Sequence, residues 1–426
     1  MKNKKETLLI LTILITICII IFNRDKLYEA KYTEPKDTLL AITINGEIST
    51  TFPTTATYET NVECTTGTGK VEWNGSKWVL TTSGITKGGT KCNATFNQTL
   101  RQSILANNEV KTPITTPGAA ISTASEALLA STEDDYGTSY YFRGAVTNNY
   151  VEFANKCWRI VRVGGDGSVK LILHNDNKAG AANPCAAANN SASAAFARYS
   201  GEIYKSAFNI NYNDNAYVGF KYGTVGASDY ASAHANTNKS TILTNLETWY
   251  TNNLKTYADA IADTVWCNDK TNVTDTSYSP WGYSNVTGLG YGTNKTYYGA
   301  TQRLVNKSGS AGDTGPSLKC NGELSKINSK VGLITADELT LAGYAYNKNN
   351  TTTYLQENAT DTYWWSLSPH FFSGSSADVW SVHGSSGYFY ANDVFNVYGV
   401  RPSISLKSTT NVTGEGTSSS PFIISM

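Results

Sequence analysis

Eight aromatic side chains fall between His370 and Tyr398: Phe371, Phe372, Trp380, Tyr388, Phe389, Tyr390, Phe395 and Tyr398. Eleven more of these 29 positions are Ser, Gly or Asn. Rings with polar edges, set among small adaptable residues, make recognition surfaces, because Tyr and Trp offer contact area at low entropic cost. The chemistry this pattern points to is binding. The candidate contacts are His370, Phe371, Phe372, Asp378, His383, Tyr388, Tyr390, Asn392, Asp393, Phe395, Asn396 and Tyr398. A buried ring enclosed by polar groups can supply about 2–4 kcal/mol of binding. Alternating strands also bury rings, so a β core filled by the same side chains is the competing reading.

The stretch from Ser366 through Leu406 contains no Lys, Glu, Gln or Met. These four types account for 49 of 426 residues, so its 41 positions would ordinarily hold four or five. A buried sheet would also exclude Lys and Glu. The Ser, Gly and Asn content points instead to displayed loops.

Catalytic constellations are scarce. His174, His234, His370 and His383 are the four histidines, and none lies in a Ser/His/Asp or H-E-x-x-H setting. Asn175-Asp176-Asn177 and Asn213-Asp214-Asn215 offer calcium-friendly oxygens but do not continue as EF-hand loops. Asx turns account for both. No C-x-x-C occurs, so no metal site or cofactor is expected. The expected class is a binding protein rather than an enzyme. A glycan- or cell-wall-acting hydrolase is the first alternative, since two carboxylates can be paired by the fold alone. A passive surface coat protein is the second.

The elements that must hold these residues begin with an apolar N-terminus. Lys2, Lys4 and Lys5 precede a run of 17 uncharged residues, 7–23, closed by Arg24. No small-x-small cleavage site follows, so residues 1–29 read as an uncleaved signal anchor. That predicts a single-pass cell-membrane protein with its C-terminal domains outside, meeting a protein or glycan ligand there. The formal net charge is zero and no basic cluster occurs, which argues against nucleic acid. Outside the cell cysteines pair, and sequence order suggests Cys64–Cys92, Cys157–Cys185 and Cys267–Cys320.

Residues 30–100 read as a small all-β module, with short strands between Gly-rich turns. Residues 101–135 read as an Ala/Ser/Thr/Pro-rich linker with weak helical character. Residues 136–426 read as an α+β domain. Gly164-Gly165-Asp166-Gly167 is a hairpin turn between two apolar runs. Ile242, Leu246, Trp249, Tyr250, Leu254, Tyr257 and Ile261 recur at helical spacing, predicting a helix over 241–263. Thr335-Ala336-Asp337-Glu338 is a capping box, with Gly343 placed to end its helix. Phe422–Ile424 reads as a terminal docking strand.

The strings GTSYYFRGAVTNNYVEFANKCWRIVRVGGDGSVKLI, WCND, VGLITADELTLAGYAY, YWWSLSP and YGVRPSISL resemble a family of surface proteins from gut Firmicutes. The C-terminal domain of that family has unknown function and ends in a G-V-R-P-x-[IV]-x-L strand. The resemblance covers roughly residues 135–426. This domain in turn resembles the C-type-lectin-like fold of formylglycine-generating-type domains and of diversity-generating-retroelement variable proteins. The resemblance implies a scaffold of Trp364, Trp365, Gly399, Arg401 and Pro402. It implies a displayed, sequence-tolerant surface between Pro369 and Val400. Adenine-directed mutagenesis of Asn-type codons cannot create Lys, Glu, Gln or Met, which fits the depletion. The formylglycine-generating activity is not implied, because the last cysteine is Cys320.

Overall fold

The computed structural model describes residues 38–86, 89–263, 265–283, 289–320 and 325–424. Strands take 35% of the chain and helices 13%. The α+β expectation is therefore corrected: this is a mostly β protein with several sheets. The helical periodicity of 241–263 continues in sequence but not in backbone. The helix Thr241–Asn253 stops early, Leu254 caps it, and a short 3-10 turn follows at Lys255–Tyr257. Two consecutive asparagines, poor helix formers, close it, and Asn253 turns its side-chain amide back onto the carbonyl of Trp249. The predicted membrane segment, residues 7–23, lies outside the described residues. Among the described residues no helix is long and apolar enough to cross a membrane. The single-pass membrane placement has no described helix behind it and is withdrawn.

Two compact units divide the described residues: those up to 102 with 411–413, and those from 103 onward apart from 411–413. In the first, Thr38–Ile44 lies between Glu47–Ser49 and the parallel strand Thr90–Asn97, with Glu59–Cys64 beyond. A separate hairpin, Thr68–Trp73 with Trp78–Ser83, packs Val71 and Trp78 against Leu40, Ile42, Ala94 and Phe96. Cys64 and Cys92 are direct cross-strand partners and are disulfide-bonded.

The second unit holds two main sheets. One places Val169–Asn175 between Ser403–Leu406 and Lys156–Val163, followed by Tyr150–Phe153 and the terminal strand Phe422–Ile424. Gly137–Gly144 adds to Lys156–Val163, and Ala127–Asp134 pairs with it over its whole length. Residues 127–134 fall within the 101–135 stretch whose Ala/Ser/Thr/Pro-rich composition predicts a linker. Pairing and burial of Leu128, Leu129 and Ala130 override that expectation. The other sheet runs Lys205–Ser206, Tyr398–Gly399, Trp364–Phe372, Ala377–Val382, Phe389–Asp393, and Thr296–Tyr297 pairs with the far end of the Trp364 strand. Cys157–Cys185 and Cys267–Cys320 are also bonded, so all three disulfides follow sequence order.

The helix Thr241–Asn253 supports this unit by burying Ile242, Leu243, Leu246 and Trp249. Its N-cap is Ser240, whose hydroxyl accepts the Leu243 amide at 3.2 Å. Ser240→Ala is expected to cost about 1 kcal/mol. Urea unfolding checks it, and an unchanged midpoint would show that the helix needs no cap.

Candidate functional site

The site is framed by the strand Trp364–Phe372, in which all nine residues are buried. It is central because it pairs with Ala377–Val382 along one edge and with Tyr398–Gly399 and Thr296–Tyr297 along the other. This placement corrects three candidates. His370, Phe371 and Phe372 are 3%, 5% and 0% exposed and are core, not contacts. Register irregularities between Trp365 and Pro369 and between Pro369 and Phe371 break the strict alternation that would have sent some of them outward. Burial holds the His370 imidazole neutral, its pKa pushed down to about 3.

Trp364, Trp365, Gly399, Arg401 and Pro402 are buried as well. The Arg401 guanidinium donates to the carbonyls of Leu173 and Leu355 and lies 4.9 Å from the Trp364 ring centre. It ties the strand before it to the other sheet. A side chain at Gly399 would collide with Phe196 and Thr362.

Beyond the frame, the hairpin Ala377–Val382 with Phe389–Asp393, and the segment that leads from it to Tyr398–Gly399, carry the remaining candidates. His383 and Tyr388 close its turn through paired backbone bonds, the His383 amide donating to Tyr388 and the Gly387 amide to His383, both at 2.9 Å. Gly387 adopts φ +61, and a Cβ there would lie 2.0 Å from the Asn350 carbonyl, so the turn demands glycine. His383, Tyr388, Tyr390, Asn392, Asn396 and Tyr398 are half-buried, and Phe395 is exposed at 42%.

Polar contacts fix these side chains from below. Tyr398 donates its hydroxyl to Asn392 Oδ1 at 3.1 Å, and Asn392 donates to Ser381 Oγ at 2.8 Å. Tyr398 also packs near-parallel to Tyr363, ring centres 4.8 Å apart. Tyr388 donates to Asn347 Oδ1, and its ring lies 5.8 Å from that of Tyr390. Tyr390 stacks on buried Tyr346 at 5.3 Å.

Asp378 and Asp393 face each other across the strands and share a hydrogen bond. Burial, then the Asp393 charge and that bond, push the Asp378 pKa up to about 8. Ser376 donates to Asp393. Carboxyls in direct contact leave no gap for a glycosidic bond, which needs them roughly 5–9 Å apart.

The structure adds residues that the sequence reading missed. Phe395 packs against Tyr212, ring centres 4.7 Å apart, and Tyr212 is 43% exposed. Ile210 and Val397, 68% and 58% exposed, sit in the same two loops. Backbone bonds bring those loops together: Asn209 donates to Val394, and Ala377 to Tyr212. Ile210 and Tyr212 flank Asn211 in an Asn-rich loop far from the aromatic segment, and only that apolar alternation in a polar loop signals them.

A second concentration of chemistry lies in a cavity of about 50 Å³ lined by Asp134, Arg162, Lys170, Asp269, Arg303, Asp337 and Glu338. That volume holds only a few waters. Arg303 grips Asp337 at 2.8 Å through two nitrogens and Asp269 at 2.9 Å. Glu338 Oε1 takes Arg162 at 2.9 Å and Lys170 at 2.6 Å. These charges satisfy one another and read as framework. Among the described residues no group of three or more His, Cys, Asp or Glu is placed to hold a metal ion.

No curated protein and no solved structure matches the chain, so the C-type-lectin-like resemblance gains no structure in its support. Residues 305–408, which include Glu338, the frame strand and the whole hairpin, match the model of a family described as a domain of unknown function (DUF6273).

Proposed function

We propose that this chain is a binding protein of adhesin or receptor type, which meets a protein or glycan ligand through the rim of its second unit. The observation that carries this reading is the exposed group Ile210, Tyr212, Phe395 and Val397 at one end of the hairpin, together with the fixed, half-buried rings Tyr388, Tyr390 and Tyr398. Exposed apolar groups rimmed by polar side chains mark interaction surfaces. Rings already held by hydrogen bonds lose little freedom on binding. The three disulfides fit an oxidising compartment, where such ligands are met.

The test is surface-immobilised full-length protein against a panel of glycoproteins, each presented intact and enzymatically stripped of glycans. At least one member should bind. Tyr388→Ala combined with Phe395→Ala should then weaken binding at least tenfold, about 1.4 kcal/mol, with the unfolding midpoint unchanged. Equal binding to stripped protein would name a protein ligand; binding lost on stripping would name a glycan. Binding that survives the double substitution would move the site off this rim. A lowered midpoint would make these two rings core.

A further inference from the structure

Lys270 is fully buried and, among the described residues, is in no ion pair with a carboxylate. Its Nζ lies 2.6 Å from Asn236 Oδ1, 2.8 Å from the His234 carbonyl and 2.9 Å from the Lys221 carbonyl. The wall is close: a Cβ on Gly219 would come within 3.0 Å of the lysine Cδ. No outside reagent reaches this amine, so any chemistry it does is with its neighbours.

Those neighbours form a set. Asn268 Nδ2 donates to the same Asn236 Oδ1 at 3.0 Å. The other end of Asn268 is fixed, because its Oδ1 accepts the Phe220 amide at 3.1 Å. Asn236 itself sits at φ +59, a left-handed conformation that turns its side chain back toward the cluster. His234, two residues away, is 5% exposed, with its ring packed against Tyr230 and Tyr298. A buried amine, a polarised carboxamide and a second donor on its oxygen are the parts of an acyl transfer.

We propose that Lys270 and Asn236 join in an intramolecular isopeptide bond. The neutral Nζ attacks Cγ of Asn236, and the carbonyl electron pair moves onto Oδ1, where Asn268 Nδ2 stabilises it. The tetrahedral centre collapses by breaking the Cγ–Nδ2 bond. One proton passes from Nζ to the departing nitrogen, and ammonia leaves. The products are a secondary amide and one ammonia, with no oxidant or co-reactant. Burial, then the Lys221 charge, push the lysine pKa down to about 7, which supplies the neutral amine near neutral pH. Fixed proximity replaces a bimolecular encounter.

Mass spectrometry of the intact full-length chain tests this. After correction for three disulfides, the mass should fall short of the sequence by one ammonia. An asparagine can also lose ammonia by cyclising on the backbone, so peptide mapping decides: a single branched peptide should carry both Asn236 and Lys270, uncleaved by trypsin after Lys270. Asn236→Ala and Lys270→Arg should each abolish that peptide. Asn268→Ala should delay its appearance after refolding without removing the fold. A folded parent chain in which Lys270 is released by trypsin and acetylated as a free amine once denatured would overturn the proposal, leaving a buried ammonium held by three carbonyl oxygens.

Discussion

Replacing Glu338 with alanine is expected to cost about 3–5 kcal/mol of folding stability. The carboxylate is 2% exposed and accepts from Arg162, Lys170 and the Thr335 amide at once. It is also the acidic half of the capping box that starts Ala336–Ala342. Without it Lys170 and Arg162 remain buried beside each other, and among the described residues only Arg162 keeps a second acid, Asp134 at 3.0 Å. Urea unfolding of the single variant reads the loss. Lys170→Met together with Glu338→Leu should recover much of it, because removing both charges costs less than stranding one. A single-variant loss below about 1 kcal/mol would show that water already solvates this site.

The same residue sets an acid limit. Burial raises the Glu338 pKa, but the charges of Lys170 and Arg162 outweigh it and hold the group at about 2. A folded pKa below the unfolded value of about 4.3 contributes stability above that value. The contribution is lost as pH falls from there toward 2. The alanine variant should lack this part of the acid limb.

What the sequence disclosed here is what is local. Thr335, Glu338 and Gly343 lie within one helix, so their spacing alone announced cap, box and stop. The disulfides join cysteines nearest in order. Phe422–Ile424 docks as a strand because an apolar triplet at the end of a polar tail has few other uses. What escaped is what depends on long-range pairing. The composition that singled out 370–398 cannot separate a central strand from its rim. Phe371 and Phe372 fell on one side of that divide, Tyr388 and Phe395 on the other. The missing Lys, Glu, Gln and Met have a partly structural origin, since Trp364–Phe372 and Ser403–Leu406 are wholly buried. Tyr212 joins the rim, and buried Tyr346 backs it, from 183 and 44 residues before Phe395 and Tyr390. No local pattern ties them to it.

Asp378→Asn is expected to stabilise the protein by about 2–4 kcal/mol at pH 8. Asp378 and Asp393 are directly opposed across an antiparallel pair, where like charges are destabilising. Among the described residues neither is in an ion pair with a cation. The hairpin therefore keeps a proton between them. A folded pKa of about 8 against an unfolded value of about 3.9 means that the native state binds a proton the unfolded chain has released. Between those values stability must fall as pH rises. Each pKa unit is worth about 1.4 kcal/mol, and the partial exposure of both carboxyls discounts the sum to the range above. Asparagine donates the same hydrogen bond to Asp393 without needing that proton. Urea midpoints taken from pH 4 to pH 8 should decline for the parent and stay flatter for the variant, the gap widening toward pH 8. Parallel profiles would mean that the two carboxylates ionise independently and that the hairpin beneath Phe395 is held by its backbone bonds alone.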